Sequence, residues 1–411
     1  GATLGGGTTV NWCTALRLPE RIAQEWDECS GIAGLAAELL PHYAALETRL
    51  GVAPASNHNA NNRIILDGAR KLGLHDGCGY CGFGCSYDKK RSGSAAFLPD
   101  LAGGGTIYAD ASAERIVTRE RHACGVVARQ RNSAGESVAF EVEADLVIVC
   151  AGALRTPGLL ARSGVADPLL GKRLFLHPVA AAIAEFDRPI EAWLGPMQSA
   201  YSDAFNYRAG AYGAKIEVAP AHPGMAALAL PWTNRDRHAD FMGRFRNVAT
   251  MFALTRDRDP GSVGLDGEAA IRYRVSPFDA ENLLAGLAGI FDLGFAAGAI
   301  RMMTLHTKPI EIERAQWTPS YRESFARRLR EIGVAPNRQI FFSAHQMGTA
   351  AMGSRPADSV VDPAGRVWGY ENLLVADASI FPQSSGVNPM LTIMAMASRI
   401  AAANGAMPVY L

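Results

Sequence analysis

The chain lacks an excess of charge of either sign. Lys plus Arg and Asp plus Glu number 40 each among 411 residues, so the formal net charge is zero. No basic arm or stripe stands out along the chain, which argues against nucleic acid as a partner. No secretory signal peptide is visible either. We therefore expect a cytoplasmic protein and leave peripheral contact with a membrane open.

The chain also lacks an even number of cysteines and a long uninterrupted apolar run. The seven cysteines are an odd number, which excludes a fully paired disulfide framework and favours a reducing compartment. The most apolar stretch, residues 283–300, contains Asp292 and four glycines. It falls short of the roughly 20 uninterrupted apolar residues that a membrane span requires. A buried helix is the expected structure there.

Apolar spacing predicts an α/β chain. Residues 146–150 form a continuous apolar run, which is typical of a strand buried on both faces. A glycine turn follows, and Thr156-Pro157 opens a helix that continues to about residue 162, as in a doubly wound nucleotide-binding fold. Other segments have helical spacing or end signals: residues 31–50, 59–72, 280–303, 320–332 and 390–403.

Two loops near the C-terminus contain the residues best suited to chemistry. His345 lies in Ser-Ala-His-Gln-Met-Gly-Thr, and Asn388 lies in Ser-Ser-Gly-Val-Asn-Pro-Met about forty residues later. A histidine can take a proton and an amide can hold an oxygen, which is the equipment for oxidising an alcohol. The alternatives are a structural histidine and an asparagine that caps a helix.

Three motifs make the chain resemble the glucose–methanol–choline (GMC) family of flavin oxidoreductases. Residues 5–11 (Gly-Gly-Gly-Thr-Thr-Val-Asn) look like the loop over the flavin ring, and residues 152–164 look like the second signature of the family. His345 and Asn388 match its catalytic pair. Residues 78–85 (Cys-Gly-Tyr-Cys-Gly-Phe-Gly-Cys) and 195–198 (Gly-Pro-Met-Gln) are similar to the long-chain fatty alcohol oxidase branch.

The resemblance implies a fold of two parts. One is an FAD-binding doubly wound α/β domain, incomplete at its N-terminus and formed by residues 1–15, 100–180 and 360–411. The other is an inserted α+β substrate domain on a mostly antiparallel sheet, formed by residues 16–99 and 181–359. His177-Pro178 is expected to end a strand under the flavin, in a structural role.

The resemblance also implies the chemistry. Hydride would pass from the carbinol carbon of a primary, apolar alcohol to FAD, His345 would act as the base, and Asn388 would donate to the developing alkoxide. The expected products are an aldehyde and, with O2 as acceptor, hydrogen peroxide. The alternative is a dehydrogenase that uses a quinone, a cytochrome or an iron–sulfur relay. The implied flavin contacts are Gly6, Gly7, Thr8, Asn11, Trp12, Val117, Ala151, Gly152, Asp377, Ala378, Pro389 and Met390.

One expected feature is missing from the predicted flavin part. A dinucleotide is normally held by Gly-x-Gly-x-x-Gly between a strand and a helix, and we find no copy in that setting. The family has this fingerprint upstream of a loop like residues 1–12. We therefore expect that the front of the flavin domain is missing and that the chain alone binds FAD weakly. A truncated, non-catalytic remnant is the alternative from another class.

Three cysteines in a glycine-rich segment allow two interpretations. Cys78, Cys81 and Cys85 have nearly the spacing of iron–sulfur ligands. They also suit a tight turn with small buried thiols, which we favour over a metal site. The resemblance implies FAD as the cofactor, and we expect no metal at these cysteines.

Overall fold

The structure is a computed structural model that describes residues 4–12, 14–55, 58–72, 77–78, 91–132, 134–266 and 269–405. Within these residues the chain forms eleven α-helices and fourteen β-strands. The helices are α1 (Gly7–Val10), α2 (Glu20–Ser30), α3 (Leu35–Leu50), α4 (Ala60–Leu72), α5 (Gly93–Ala96), α6 (Thr156–Arg162), α7 (Pro223–Ala229), α8 (Arg235–Gly243), α9 (Pro277–Ala297), α10 (Pro319–Ile332) and α11 (Met390–Ala403).

Half of the strands form one antiparallel sheet. Its order is β1-β7-β8-β9-β6-β12-β13, and every neighbouring pair is antiparallel. This is the mostly antiparallel sheet predicted for the substrate part. Its strands are β1 (Gly77–Cys78), β6 (Val179–Glu185), β7 (Ala200–Ala209), β8 (Tyr212–Val218), β9 (Val248–Thr255), β12 (Arg301–Thr304) and β13 (Glu311–Glu313).

The remaining strands form three smaller sheets. β5 (Val147–Val149) and β14 (Leu373–Val375) are parallel, as in a doubly wound fold. The antiparallel sheets are β2 (Ala111–Arg119), β3 (His122–Arg131) and β4 (Ser137–Glu143), and β10 (Ser262–Val263) with β11 (Ile271–Arg272).

The strand before the glycine turn, β5, was predicted to be buried on both faces, but only one face is buried. Val147 and Val149 are buried, but Ile148 between them is 49% exposed. Successive residues of a strand point to opposite faces, so only one face of β5 is covered by the described residues. The predicted order of strand, glycine turn and helix is confirmed, because β5 leads through Gly152 into α6.

The long apolar helix α9 lies across the antiparallel sheet. By length and composition it could cross a membrane, but 72% of its apolar window is buried inside the protein. A Cβ added at Gly286 would lie 2.5 Å from the Cβ of Ala214 in β8, so the helix and sheet approach closely. The predicted extension to residue 303 is wrong. Gly298 ends the helix in a left-handed conformation (φ 106°), and β12 follows.

Buried apolar side chains form two large cores that divide the chain differently from the predicted domains. α2 and α3, assigned to the substrate part, pack in the first core together with β5, β14 and α11. For example, the Tyr43 hydroxyl of α3 donates to the Thr392 hydroxyl of α11 at 3.0 Å. α4, α9 and the antiparallel sheet form the second core.

Candidate active site

The two C-terminal loops are brought together through a third residue, His177. The segment around residue 347 pairs antiparallel with the segment around residue 175, through a bridge between Phe175 and Met347. In an antiparallel register this places His177 opposite His345. The Nδ1 atoms of the two rings are 3.0 Å apart, and the rings meet edge to face with centroids at 5.2 Å.

His177 also contacts the loop that contains Asn388. Its Nε2 accepts a hydrogen bond from the backbone N–H of Gly386 at 2.9 Å. Gly386 has a φ of 65°, and a Cβ there would come within 2.7 Å of Ile22, so glycine is required at this turn. One buried imidazole therefore joins the His345 loop to the turn two residues before Asn388.

Asp257 and Arg256, at the end of β9, anchor these loops. The buried Asp257 carboxylate accepts from the N–H groups of Leu176 (2.7 Å) and His177 (3.3 Å) and from the Ser384 hydroxyl (2.8 Å). Arg256 is 2% exposed; its guanidinium donates to the Ser384 carbonyl at 3.1 Å.

The Arg256 charge is compensated locally. Its guanidinium pairs with Glu25 at 2.8 Å and lies over the Tyr212 ring at 4.5 Å. A buried charge needs such partners because transfer from water is costly. The pair Arg256-Asp257 therefore fixes the His177 turn and the Ser384 end of the Asn388 loop relative to β9.

Asn388 is buried and its amide contacts a buried carboxylate. Its Nδ2 lies 3.4 Å from Oε2 of Glu217, and its Oδ1 has no hydrogen-bond partner among the described residues. It does not cap α11, whose N-cap is Pro389 without a side-chain bond. The helix-cap alternative is therefore excluded. Glu217 also accepts from Gln198 at 3.1 Å, and Gln198 accepts from Thr14.

Burial keeps the histidines of the site neutral. Desolvation lowers the pKa of His345 to about 4 and the pKa of His177 well below its usual range of 6.5. In the same region, burial raises the pKa of Glu217 and lowers the pKa of Lys215, two residues away on the same face of β8. Each shift follows from the cost of a charge in a dry environment.

The predicted flavin residues of the N-terminal loop lie beside the C-terminal site. Gly6 and Gly7 face open space, since a Cβ at either would meet no atom within 4 Å. The Thr8 hydroxyl accepts from the N–H of Gly93 at 2.8 Å. Asn11 Nδ2 lies 2.9 Å from the sulfur of Met390, at the start of α11. The structure therefore brings this loop to α11.

A second group of predicted flavin residues surrounds the ends of the parallel strands. Asp377 follows β14, and its carboxylate accepts from Gly152 N–H (2.8 Å), the Thr156 hydroxyl (2.6 Å) and Ser379 N–H (2.8 Å). Through these contacts Asp377 caps the 3₁₀ helix at Ala378–Ile380 and binds the turn at Gly152. The carbonyl of Ala378 accepts from Gly348 in the His345 loop at 3.0 Å.

The remaining predicted residues take no part in the hydrogen bonds described for these two groups. Val117 is half-buried in β2, and Ala151 is exposed next to Gly152. Trp12 packs against Phe252 with ring centroids 6.5 Å apart. Among the cysteine candidates, the backbone of Cys78 lies in β1, whereas Cys81 and Cys85 lie outside the described residues.

The spacing Gly-x-Gly-x-x-Gly also occurs in the sequence at residues 77–82, of which the structure describes Gly77 and Cys78. Gly77 begins β1, which pairs antiparallel with β7 in the large sheet. It follows α4 rather than a strand of the parallel pair. The described residues of this spacing, Gly77 and Cys78, therefore do not lie between a parallel strand and a helix.

A cavity of about 490 Å³ adjoins the Asn388 loop through Val387. Its walls include polar and charged side chains from the N-terminal segment and the large sheet: Arg17, Glu47, Tyr201, Asp203, Asn206 and Lys215. A smaller apolar group, formed by Val179, Phe252 and Leu254 with Trp12 packed against it, lies near His177 in the chain.

The fold and these loops define a two-part oxidoreductase architecture. Models of GMC oxidoreductases match residues 1–179 and 257–397. The chain belongs to the GMC oxidoreductase family.

Three similar proteins illustrate the relation. Long-chain-alcohol oxidase FAO4A of Arabidopsis thaliana is 33% identical over 97% of this chain and 58% of its own length. The uncharacterized GMC-type oxidoreductase Rv0492c of Mycobacterium tuberculosis is 34% identical over 98% of this chain and 64% of its own length. The chain thus spans less than two thirds of these relatives. A formate oxidase of Aspergillus oryzae, solved in a study of FAD modification, has a TM-score of 0.72 at 17% identity, covering 98% of this chain and 83% of that chain.

FAD is the cofactor of this family, and the residues present fit it in part. The carboxyl ends of parallel strands are where doubly wound folds bind nucleotides, and the turns at Gly152 and Asp377 lie at those ends. The space beside Gly6 and Gly7 leaves room for a bound group. The Oδ1 of Asn388, which has no hydrogen-bond partner among the described residues, offers that group a polar contact. Gly6, Gly7, Gly152 and Met390 are the residues that we expect to hold the group.

Sequence reasoning missed the connecting role of His177 and the anchoring role of Asp257. His177 was expected to be structural, because a His-Pro pair after an apolar strand is a weak signal. A positive φ (48°) at a buried histidine indicates a position held by its surroundings. No local sequence signal reveals that, because the contacts join residues far apart in the chain.

Proposed function

We propose that the protein oxidises an alcohol at the site formed by His345 and Asn388, with FAD as the cofactor. The observation that supports this most directly is the hydrogen-bonded chain from His345 through His177 to Gly386, beside Asn388. It joins the two loops that the sequence predicts to act on one oxygen. When bound, FAD supplies the group that accepts hydride from the carbinol carbon.

The two side chains suit different parts of this task. His345 is neutral at physiological pH, because its pKa is about 4, and a neutral imidazole can exchange a proton or a hydrogen bond with a hydroxyl. The proton-accepting role of His345 stays a prediction. Asn388 has a second N–H besides the one directed to Glu217, and that N–H can stabilise a developing alkoxide.

We further propose a primary alcohol with an apolar chain as the substrate. Two observations support this class: the similarity to long-chain-alcohol oxidase FAO4A, and the apolar group around Phe252, whose member Val179 lies two residues after His177. The polar cavity beside Val387 would suit a polar group or water better than an alkyl chain. The apolar group around Phe252 is therefore the expected place for the chain of the alcohol.

The experiment uses the full chain supplied with FAD. Anaerobic reduction of the flavin is followed with primary alcohols from ethanol to hexadecanol. We expect reduction to become more efficient with chain length, since each buried methylene adds about 0.8 kcal/mol of binding. Absence of reduction by every alcohol would contradict the proposed function, and a preference for ethanol would contradict only the apolar substrate.

We propose O2 as the electron acceptor and keep a dehydrogenase as the alternative. Oxygen consumption with formation of hydrogen peroxide would support the oxidase. Rapid reduction of a quinone or dye with slow oxygen consumption would support the dehydrogenase. A cytoplasmic location with peripheral membrane contact also stays a prediction, which fractionation of cells that express the full chain can test.

A further inference from the structure

Lys215 is a buried lysine that the proposed oxidation does not use. Its side chain is 3% exposed, and its Nζ lies 3.9 Å from the centre of the Tyr201 ring. Both residues line the cavity of about 490 Å³ beside Val387. Nζ makes no hydrogen bond or ion pair with the described residues, although a buried charge normally has such a partner. Lys215 therefore presents an amine without an acceptor to any molecule in the cavity.

Strand alternation places this lysine on the side of the large sheet that contacts the Asn388 loop. Ala214, the residue before it, packs against Gly286 of α9. Successive side chains of a strand point to opposite faces, so Lys215 and Glu217 both point away from α9. Glu217 contacts the Asn388 amide. Two residues along a strand span only about 7 Å, so Lys215 lies close to the proposed site of oxidation.

Burial shifts this amine towards its neutral form. It lowers the pKa of Lys215, although the carboxylates of Glu217 and of Asp203 on the neighbouring strand β7 act in the opposite direction. The other charged walls of the cavity, Arg17 and Glu47, pair with each other. Only a neutral amine has the lone pair that attacks a carbonyl group, and desolvation is a general way in which proteins make lysines nucleophilic.

We propose that Lys215 is a covalent site for aldehydes. Its Nζ attacks the carbonyl carbon of an aldehyde in the cavity, and the resulting carbinolamine loses water to form an imine. The two hydrogens of the amine leave with the carbonyl oxygen, so the step needs no oxidant or reductant. Asn206 is a buried side chain of the same cavity and has no hydrogen-bond partner among the described residues. We expect its amide to donate to the carbonyl oxygen during the attack.

The proposed function supplies an aldehyde at this place. Oxidation of a primary alcohol beside Asn388 releases the aldehyde next to the loop that borders the cavity at Val387. The inference rests on the proposed function for this source alone. The reactivity of the Lys215 amine follows from its own surroundings and can be measured with an added aldehyde.

Reductive trapping with propanal tests the proposal. The full chain, with FAD supplied, is incubated at pH 7 with propanal and sodium cyanoborohydride, which converts an imine into a stable propyl-lysine. Peptide mapping by mass spectrometry compares Lys215 with three exposed lysines, Lys71, Lys172 and Lys308. We expect Lys215 to be labelled at least about tenfold faster, because an exposed amine is almost entirely protonated at pH 7. Equal or slower labelling of Lys215 would overturn the proposal.

The same experiment in urea shows whether the folded cavity is responsible. In the unfolded chain the four lysines should be labelled at similar rates, because burial no longer distinguishes Lys215. A preference for Lys215 that persists in urea would mean that the local sequence causes it, and the proposed site would be refuted.

A variant on the neighbouring strand tests the electrostatic part of the reasoning. Asp203→Asn removes a carboxylate that favours the charged amine, so labelling of Lys215 should become faster. Asp236→Asn, in the exposed first turn of α8, is the matched control and should leave the rate unchanged. Unchanged or slower labelling in a folded Asp203→Asn protein would contradict the assignment. If this variant does not fold, the comparison of lysines in the unmutated chain still decides.

A second arm separates this proposal from the proposed function. Propanal is replaced by the primary alcohol that reduces the flavin most efficiently, in the presence of air. Labelling of Lys215 by propanal but by no alcohol would contradict the source of the aldehyde and leave the covalent site standing. A chain that oxidises alcohols but is not labelled at Lys215 by either compound would contradict only the covalent site.

Discussion

His306 is expected to make the protein less stable in mild acid, and its replacement by leucine should remove that effect. The ring is 1% exposed and lies opposite Gln339 in an isolated antiparallel bridge. Neither of its nitrogens has a hydrogen-bond partner among the described residues, and both polar atoms of Gln339 lack one too. Burial, with Arg328 adding to it, lowers the pKa of His306 from 6.5 to about 4.

The sign and size of the effect follow from linkage between protonation and folding. Between pH 6.5 and about 4 the unfolded chain binds a proton at His306 that the folded chain does not, so stability falls as pH falls through this window. Each pKa unit is worth about 1.4 kcal/mol, which gives a total loss of about 3 kcal/mol. About 2 kcal/mol of that is expected between about pH 7.5 and about pH 5.

His306→Leu should therefore stabilise the chain at both pH values, and more at the lower one. Near pH 7.5 the gain is expected to be roughly 1–3 kcal/mol, because a buried polar ring without partners is replaced by an apolar side chain. Urea unfolding of both proteins at the two pH values, followed by tryptophan fluorescence, measures the difference. His177 and His345 have the same direction of shift, so only the difference between the two proteins isolates His306.

A parallel loss of stability in both proteins between the two pH values would refute this reasoning. It would mean that His306 is hydrated or partnered in solution and does not resist protonation. His238→Leu, on the part-exposed α8, serves as the control and should leave the pH dependence unchanged.

Four further predictions concern the site and the cofactor. His345→Ala should slow anaerobic flavin reduction by orders of magnitude while the circular dichroism spectrum stays unchanged. Asn388→Ala should lower kcat by about 100-fold to 1,000-fold, which corresponds to about 2.7–4 kcal/mol of activation free energy. An unchanged rate in either variant would contradict the role assigned to that residue. Gly348→Ala should destabilise the protein by more than about 1 kcal/mol. Gly348 has a φ of 90°, and the new Cβ would lie 2.5 Å from the Arg173 carbonyl oxygen. Gly243→Ala is the control in the same thermal melts and should be nearly neutral, because a Cβ there meets no atom within 4 Å. The 411-residue chain should retain FAD weakly, because we find no strand–helix phosphate turn in its sequence; purification with stoichiometric, non-covalent flavin absorbance would contradict this.

Several local features were determined by the sequence alone. The helix predicted at residues 390–403 is α11 with the same bounds, and the order of strand, glycine turn and helix at residues 146–162 is present. These succeed because apolar periodicity and end signals act within a few residues of the chain. The motif spacing around His345 and Asn388 also pointed to the GMC family, which the comparisons confirm.

Tertiary structure alone decided which of these segments meet. α2 and α3 joined the core of β5, β14 and α11 through contacts such as Tyr43 with Thr392, which are 349 residues apart. The apolar run of β5 predicted burial on both faces, but a run cannot show whether a partner covers each face, and Ile148 is half exposed. His177 is the clearest case. Its partners lie 168 and 209 residues away, and their hydrogen bonds depend on the pairing of Phe175 with Met347, which arises only when the chain has folded.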